Sequence, residues 1–448
     1  MTKVLILAYD FPPYISVGGL RPNFWLKHLK KYGVHPVVVT RQWGNNFGSE
    51  LDYVAPGHSP QVLVEEFEYG TIIRTPYTPN LANRLLLRFG HNRFSFLRRM
   101  ISAWYEFLQF VFIVGPKAGL YRGARQYLRD NRADVIIATG DPFILFRYGS
   151  KLSREYNIPW IADYRDPWVE DNNYSSNFLL KKWYSFFERR NLENVHAITT
   201  VSTYLQAIIN QNLVGKKFVV LPNGYDPEAV AHAGQTLQGR EILTIALAGL
   251  LYEYHPWKLF LKVCNLWKEN HQGARLKIDF YGIKNHSEVS QFVDVHCKAL
   301  KGCFTIHPKT PHQELMHHLA HANLFLLFNN YSMVHTKLYE YIALRRKILL
   351  CFTKDENAFQ LKIQKYPLQD LETESGCVQE ELIIQTRSGI NVTDSNHLYR
   401  VLDDCYHEFE ANGFIECNPT GVEQFSRLRQ VEQLARLVKE ACNEHSSL

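Results

Sequence analysis

Short apolar runs alternate with helical patterns along almost the whole of this 448-residue chain. Runs of three to six residues rich in Val, Ile and Leu are typical of strands that are buried on both faces of a parallel sheet. Strands are predicted at residues 4–8, 36–40, 135–138, 160–162, 197–201 and 218–221, and again at 243–248, 276–281, 304–306, 324–328 and 347–351. The helical patterns between them are typical of βαβ crossovers, so an α/β protein is predicted.

The two series of strands predict two Rossmann-like, doubly wound domains, since 448 residues exceed what one hydrophobic core usually holds. A turn-rich joint with the sequence PNGYDP occupies residues 222–227. We therefore predict an N-terminal domain of residues 1–222 and a C-terminal domain of residues 223–421, facing each other across a cleft. A last helix at residues 422–448, with apolar residues at helical spacing, is predicted to cross back to the first domain.

Composition favours a large soluble enzyme, because 46% apolar and 21% charged residues are ordinary globular usage. All eight cysteines lie in the second half without a C-x-x-C pair, which predicts free thiols in a reducing cytoplasm. Met1 leads directly into the first strand, so no export signal is expected. The net charge of +6 is modest and no recognised nucleic-acid-binding motif frames the basic residues, so nucleic acid is not an expected partner.

Residues 84–114 combine positive charge with aromatic side chains. The segment has arginines at positions 84, 88, 93, 98 and 99 between Leu and Phe residues, and then runs into the sequence WYEFLQFVFIV. A basic and aromatic helix pair suits an anionic membrane surface without spanning the bilayer. The alternative is a helical lobe that packs its rings against its own domain. We expect a cytoplasmic protein, attached peripherally to the inner face of the cell membrane in the first case.

The strongest candidate for a binding residue is Glu340. It lies in the sequence HTKLYEYIAL at residues 335–344, between the predicted strands at 324–328 and 347–351. This order puts the carboxylate on the first turns of a helix at the carboxyl edge of a parallel sheet, where doubly wound folds bind nucleotides. The alternative is a solvated pair between Lys337 and Glu340 on the helix surface.

The loop after the first strand supplies candidates for contact with a phosphate or a sugar. Gly18 and Gly19 would let the backbone approach such a group, and Arg21 follows them, with Pro22 suited to a first helical turn. The alternative is a plain strand-to-helix turn, because a Gly-Gly pair is much less specific than G-x-G-x-x-G.

A second group of candidates follows the strand predicted at residues 160–162. Asp163 comes first, and Arg165 and Asp166 come shortly after it. Asp166 could orient a hydroxyl group or take its proton, and Arg165 could pair with an anion. The alternative is a structural Asp–Arg pair that caps the strand end, with Trp168 in the core.

Seven short motifs occur in order along the chain: FPP at 11–13, GG at 18–19, IADYRDPW at 161–168, TVS at 200–202, LPNGYD at 221–226, GL at 249–250 and the Glu340 helix. Together they resemble the motifs of family 4 glycosyltransferases of GT-B architecture. The phrase D-[FY]-R-D-P-W resembles a subgroup found in bacterial polysaccharide biosynthesis. The resemblance implies a retaining, hexosyltransferase-type enzyme that moves a sugar from a nucleotide diphosphate to a glycan or lipid-linked acceptor.

The resemblance also implies roles for single residues. Glu340 would grip the ribose of the nucleotide, and Gly249 would lie at its diphosphate. The family's usual Arg after that glycine is Leu250 here, which puts the identity of the phosphate-binding cation in doubt. Lys337 and Lys258 are the two candidates, and Lys337 is preferred because it lies one helical turn before Glu340.

Two further departures concern the sugar and the metal. The first Glu of the family's E-x7-E motif is Ser332 here, which leaves the sugar unassigned, and Asn329, Asn330 and Ser332 could bind its hydroxyl groups instead. The chain contains no D-x-D motif, so we expect neither a metal nor another cofactor. The motif departures keep two alternatives open, a GT-B sugar-nucleotide epimerase and a non-catalytic binding subunit.

Overall fold

The computed structural model describes residues 1–14, 16–44, 50–169, 178–233, 236–330, 334, 336–365 and 378–446. The chain divides into two compact units. Unit 1 comprises Met1–Pro222 and Leu428–Leu448, and unit 2 comprises Asn223–Arg427. Each unit contains one predominantly parallel sheet with helices, which confirms the predicted α/β fold class. The seven cysteines among the described residues are free thiols, and Cys377 lies outside those residues.

Unit 1 is built on an eight-stranded sheet. Its strands are β1 (Thr2–Leu7), β2 (Val34–Arg41), β3 (Leu63–Phe67), β4 (Gly70–Thr75), β5 (Val135–Thr139), β6 (Trp160–Asp163), β7 (Ala197–Thr200) and β8 (Phe218–Val220). Its helices are α1 (Val17–His28), α2 (Glu50–Val54), α3 (Leu81–Phe89), α4 (Ser95–Gln109), α5 (Ala118–Asp130), α6 (Ile144–Tyr156), α7 (Phe178–Asn191) and α8 (Thr203–Asn212). The strand order is β3-β4-β2-β1-β5-β6-β7-β8, and β3 runs antiparallel to β4.

Unit 2 is built on a six-stranded parallel sheet. Its strands are β9 (Leu243–Ala248), β10 (Leu276–Tyr281), β11 (Phe304–His307), β12 (Leu324–Phe328), β13 (Lys347–Cys351) and β14 (Gly389–Val392). Its helices are α9 (Pro227–Ala233), α10 (Trp257–Asn270), α11 (His286–His296), α12 (His312–His321), α13 (Thr336–Leu344), α14 (Glu356–Lys365), α15 (Val378–Thr386) and α16 (Ser395–Asn412). The strand order is β11-β10-β9-β12-β13-β14.

All eleven predicted strands are present, and the sequence patterns missed β3, β4 and β14. β3 and β14 lie at sheet edges, where a strand buries less apolar surface and needs no continuous apolar run. The sequence of β3, LVEEF, is largely exposed. β4 contains an apolar pair, Ile72 and Ile73, that is interrupted at once by Arg74.

Both faces of each sheet are buried. In β1, Val4 and Ile6 pack into one apolar cluster, whereas Leu5 and Leu7 pack into another on the opposite face. The residues of β12 alternate in the same way between two clusters of unit 2. Burial on both faces explains why these strands have continuous apolar sequences rather than alternating ones.

The last helix, α17 (Arg427–Ser446), packs on unit 1. Three apolar residues of this helix are fully buried: Val431, Leu434 and Val438. They belong to the apolar cluster that also contains Val4 and Ile6 of β1. The helix begins later than the predicted position 422, because Val422–Phe425 form a short 3-10 helix that belongs to unit 2. The chain therefore enters unit 2 after Pro222 and returns to unit 1 with this helix.

Replacing Leu434 by Ala should destabilise unit 1, because a fully buried leucine loses its apolar contacts and leaves a cavity. Substitutions of this kind lower the free energy of unfolding by about 2–5 kcal/mol. Urea unfolding followed by circular dichroism would measure the loss. Gln433→Ala, an exposed position on the same helix, is the matched control and should change the free energy by less than about 0.5 kcal/mol. Equal stabilities would contradict a structural role for α17.

Candidate functional site

The strand order of unit 2 reverses between β9 and β12. Open parallel sheets bind ligands outside the carboxyl ends of the strands at such a switch point. The backbone pairing between these two strands joins Leu324 to Ile245 and Phe325 to Ala246, at the start of β12 and in the middle of β9. The side chains and loops that follow β9 and β12 therefore form the candidate ligand site of unit 2.

Glu340 is a buried carboxylate at this switch point. It lies on α13, and only 1% of its surface is exposed. Its Oε2 lies 2.6 Å from the Lys337 Nζ, and its Oε1 lies 2.8 Å from the His312 Nε2. The Lys337–Glu340 pair is therefore not a solvated surface pair. The sequence patterns did not single out His312, because it lies on a different helix and meets Glu340 only in the fold.

These two neighbours keep Glu340 ionised. Burial by itself would raise the pKa of the carboxyl, but the charge of Lys337 and the hydrogen bond with His312 outweigh burial and lower the pKa from 4.5 to about 2. Each carboxylate oxygen has two lone pairs, so each can accept one hydrogen bond more than it receives from the described residues. A charged acceptor of this kind suits a pair of ligand hydroxyl groups.

Tyr341 fastens α13 to the end of β9. Its hydroxyl oxygen accepts a hydrogen bond from the backbone N–H of Ala248 at 2.8 Å. Gly249 follows with a φ of +121°, a conformation that L side chains rarely adopt, and a Cβ there would lie 4.0 Å from the Lys337 Cγ. The structure thus brings together three of the predicted residues: Gly249, Lys337 and Glu340.

The end of β12 is tied to the loop after β9. The Asn330 Oδ1 accepts a hydrogen bond from the Tyr254 hydroxyl at 2.8 Å and lies 2.9 Å from the His255 Nε2. The backbone N–H of Asn330 donates to the Gln379 Oε1 at 2.6 Å. These contacts fix the two chain segments that leave the switch point. The role of Asn330 and its neighbour Asn329 toward a sugar stays a prediction.

One other predicted residue of unit 2, Lys258, does not join this group. Lys258 lies on α10, where its Nζ pairs with the Glu288 Oε1 at 2.8 Å and its side chain is 54% exposed. This ion pair lies at the surface of α10, whereas Lys337 is the cation that lies at Glu340. Ser332 lies outside the described residues.

The strand order of unit 1 reverses between β1 and β5. Asp10 follows β1 closely, and the Arg165 Nε donates a hydrogen bond at 2.8 Å to the carbonyl of Gly140, the residue after β5. A Cβ at Gly18 would lie 2.8 Å from the Arg165 Nη1 and 2.8 Å from the Asp10 Oδ2. Two predicted residues, Gly18 and Arg165, therefore meet at the switch point of unit 1, together with Asp10, which the sequence patterns did not single out.

Asp10 is a largely buried carboxyl group. Burial raises its pKa above the ordinary value, against the opposing effects of the Ser16 hydrogen bond and the Arg165 charge. The Ser16 hydroxyl donates to the Asp10 Oδ2 at 2.5 Å, while the Oδ1 is buried and has no hydrogen-bond partner among the described residues. A carboxylate with a raised pKa and an unpaired oxygen has the chemistry of a general base for a hydroxyl group that reaches it. An acid that closely follows the first strand is the sequence feature that could have identified it.

Arg21 and Asp163 form a buried ion pair inside unit 1. The Arg21 Nη2 lies 3.0 Å from the Asp163 Oδ1, and both side chains are buried. The Arg21 Nη1 also donates to the Leu221 carbonyl at 2.8 Å, and the Thr199 hydroxyl donates to Asp163 at 2.7 Å. The structural Asp–Arg pair at this strand end is thus formed by Arg21 and Asp163. Their predicted roles toward a ligand gain no support from this geometry.

The remaining predicted residues of unit 1 lie around the same loops. Gly19 allows a close approach of α1, because a Cβ there would lie 3.3 Å from the Phe11 Cα. Asp166 is exposed in the segment that follows β6. Trp168 is buried and stacks on Phe143 with ring centroids 5.4 Å apart, as expected for a core residue.

The described part of the chain contains no candidate metal site. None of its His, Cys, Asp and Glu side chains form a group of three or more that could hold a metal ion. The cations available to an anionic ligand at the two switch points are Lys337 in unit 2 and Arg165 in unit 1.

Solved structures of three sugar-related proteins have the same architecture. Sucrose-phosphate synthase from Thermosynechococcus elongatus matches with a TM-score of 0.60 and 13% identity, over 98% of this chain and 99% of that one. The α,α-trehalose 6-phosphate synthase from Burkholderia multivorans matches with a TM-score of 0.58 and 11% identity, over 100% and 98%. HepE from Anabaena, solved with UDP-glucose, matches with a TM-score of 0.53 and 11% identity, over 98% and 100%.

At these identities the likeness establishes the fold alone, and that fold is the GT-B fold of glycosyltransferases. Residues 27–224 match the family model described as "Glycosyl transferase 4-like domain". This match agrees with the resemblance of the motifs to family 4, whereas the subgroup indicated by the D-[FY]-R-D-P-W phrase stays a prediction. No curated protein matches the chain significantly.

Replacing Asp163 by Ala should lower the free energy of unfolding by about 3–5 kcal/mol, because Arg21 would stay buried without its counter-charge. The double replacement Arg21→Met with Asp163→Leu should be much less destabilising than Asp163→Ala, since it removes both buried charges. Urea unfolding of the three proteins would measure both effects. Wild-type stability of Asp163→Ala would show that the pair is not structural and would restore the predicted role of Asp163 at a ligand.

Proposed function

We propose that this protein transfers a sugar from a nucleotide-diphosphate donor to a glycan or lipid-linked acceptor. The observation that carries the proposal is the buried Glu340 carboxylate, ionised between Lys337 and His312 at the switch point of unit 2. The GT-B fold and the family match over residues 27–224 support the same activity. The structure of HepE with UDP-glucose makes a UDP-sugar the first donor to test.

In this proposal unit 2 binds the donor. Glu340 accepts hydrogen bonds from the ribose hydroxyls, using the lone pairs that Lys337 and His312 leave open. The Lys337 ammonium has three N–H donors, of which one faces Glu340, so the others can reach the diphosphate. Gly249 lets the backbone at the end of β9 approach the same phosphates. A cation and backbone N–H groups are what a leaving diphosphate needs.

Unit 1 binds the acceptor. Asp10 takes the proton of the attacking hydroxyl, because burial raises its pKa and its buried Oδ1 has no hydrogen-bond partner among the described residues. Arg165, next to Asp10 and Gly18, pairs with the diphosphate or with an anionic acceptor. Asp166 is a second candidate for orienting the acceptor. These residues recognise a hydroxyl group and an anion rather than one particular sugar. They therefore assign neither the acceptor nor the linkage.

We extend the proposal to retention of anomeric configuration and to a reaction without a metal. Retention follows from the resemblance to family 4, and a front-face displacement assisted by the leaving phosphate fits the residues better than a double displacement. The sequence has no D-x-D motif, so Lys337, Arg165 and backbone N–H groups would carry the electrostatic stabilisation.

Neither alternative function is favoured by the comparisons. A hydrolysing epimerase would release nucleoside diphosphate without any acceptor, because water takes the place of the acceptor, whereas a non-hydrolysing epimerase or a binding subunit would release none. Release of UDP from UDP-glucose only when an acceptor is added would support the transferase, and either of the other results would overturn it.

Replacing Glu340 by Gln should weaken the binding of UDP-glucose by about ten- to a hundredfold, since a charge-assisted hydrogen bond contributes about 1.5–3 kcal/mol. Gln preserves the volume of this buried side chain, so the change tests charge rather than packing. Lys337→Met should weaken binding by a similar factor. Isothermal titration calorimetry at neutral pH would measure both constants.

Lys258→Met is the matched control for Lys337→Met. It removes the same charge from a surface ion pair with Glu288 and should leave the donor affinity unchanged. If Lys258→Met weakens binding as much as Lys337→Met, the phosphate cation is Lys258 and the assignment of Lys337 is wrong. An unchanged affinity of Glu340→Gln would remove the central support of the proposal.

Replacing Asp10 by Asn should lower kcat by about 10²–10⁴-fold while the donor affinity is kept, because a general base contributes about this factor. Asp10 can act as a base only when its carboxyl is ionised. Wild-type turnover should therefore fall as the pH drops through the raised pKa of Asp10. Steady-state kinetics over a pH range would show that this acid limb is lost in Asp10→Asn and kept in Asp166→Asn. The reverse result would make Asp166 the base.

A further inference from the structure

The hairpin of α3 and α4 exposes an apolar face. Ten exposed large apolar side chains lie on or beside these two helices: Leu81, Leu87, Phe94, Phe96, Leu97, Met100, Trp104, Phe107, Val111 and Phe112. Phe96, Met100 and Trp104 are four residues apart on one side of α4 and are 75%, 56% and 62% exposed. An exposed apolar patch of this kind marks an interaction site rather than ordinary surface.

The same hairpin is strongly basic. Residues 81–112 contain five arginines and a single acidic residue, Glu106. Arg84, Arg88, Arg93 and Arg99 are exposed, whereas Arg98 is partly buried and donates a hydrogen bond to the His91 carbonyl. The surface therefore presents large apolar side chains bordered by cations. This combination matches the phosphate-to-hydrocarbon boundary of an anionic bilayer.

The hairpin is fixed to the rest of unit 1 at both ends. At the start of α3, the Asn83 amide donates to the Tyr77 hydroxyl at 3.0 Å. At the end of α4, the Arg147 guanidinium donates to the carbonyls of residues 109, 111 and 112 at 2.5, 2.6 and 2.7 Å. Phe110 is buried between these contacts. Part of the aromatic run is thus core, as the alternative interpretation expected, while the outer face of α4 is not covered by the unit.

We propose that the outer face of the α3–α4 hairpin docks unit 1 on an anionic phospholipid surface. The apolar side chains enter the headgroup region, and the arginines pair with lipid phosphates. Charge favours this occupant over a second copy of the chain, because two such basic faces would repel each other. None of the described helices is long and apolar enough to cross a membrane. The inference is independent of the proposed reaction, since lipid binding is measured without donor or acceptor.

Flotation with vesicles of phosphatidylcholine and phosphatidylglycerol tests the proposal. The full-length protein should float with these vesicles at low salt, float much less with phosphatidylcholine alone, and be released as salt is raised. The variant Arg88→Glu, Arg93→Glu, Arg99→Glu should lose at least about a hundredfold in partitioning, since each arginine near the surface contributes roughly fivefold. Arg98 is left in place because its hydrogen bond to His91 supports the hairpin.

The matched control carries the same change in net charge on another surface of unit 1. Arg122, Arg129 and Arg132 are exposed on and after α5, and their replacement by Glu should leave flotation unchanged. Thermal unfolding of both variants would show that they remain folded. An equal loss in the control would mean that net charge alone drives binding, and would overturn the docking surface. Flotation of the first variant at the wild-type level would overturn it as well.

The fluorescence of Trp104 provides a second, independent measurement of lipid binding. All eight tryptophans lie in the described residues, and Trp104 is the only one that is exposed. Vesicles with brominated acyl chains should therefore quench part of the tryptophan fluorescence, and Trp104→Phe should abolish most of that quenching while flotation is retained. Quenching that persists in Trp104→Phe would place the lipid elsewhere. A dimer in solution that dissociates in Met100→Ser would identify a second copy as the occupant and would also overturn the proposal.

Discussion

Burial of both sheet faces is the constraint on which the structure of each unit depends. Every residue from Val4 to Leu7 is inaccessible, and the residues of β12 are at most 9% exposed. A polar side chain within these strands would lose its hydration without finding a partner. The polar candidate residues therefore lie in the segments that follow the strands. The reversal of strand order decides which of these residues come together. Asp10 in unit 1 and Gly249 in unit 2 are both placed by this rule.

Two of the buried carboxylate–cation pairs, Asp163 with Arg21 and Glu340 with Lys337, follow the same electrostatics and differ in how far their cations reach solvent. An isolated buried carboxylate is strongly disfavoured, so both Asp163 and Glu340 are accompanied by a cation. The Arg21 side chain is only 6% exposed and is held by groups of its own unit, whereas the side chains of Lys337 and His312 are 25% and 33% exposed. A pair closed to solvent joins secondary structure elements, and a pair whose cations reach the surface can take up a ligand.

The parts of this molecule that sequence reasoning found are those encoded by neighbouring residues. Apolar runs predicted eleven strands, and the strand-helix-strand order predicted the position of Glu340. The sequence patterns did not identify Asp10 and His312, because these residues are distinguished only by contacts across the fold. Asp10 lies near Arg165, and His312 contacts Glu340. The same limit applies to Arg21 and Asp163, whose pairing across 142 positions is not visible in the sequence. Lys258 pairs with Glu288 at the surface of α10, and its predicted role at a phosphate stays a prediction.

The return of α17 to unit 1 affects how the protein is made. The face of β1 that carries Val4 and Ile6 is covered by a helix that the ribosome produces only after residues 223–427. Unit 2 is complete in the nascent chain at a time when the first 222 residues still expose an apolar surface. Unit 1 therefore begins synthesis first and finishes folding last, and a chain that ended just before α17 would leave this face of β1 without the apolar cover of Val431, Leu434 and Val438.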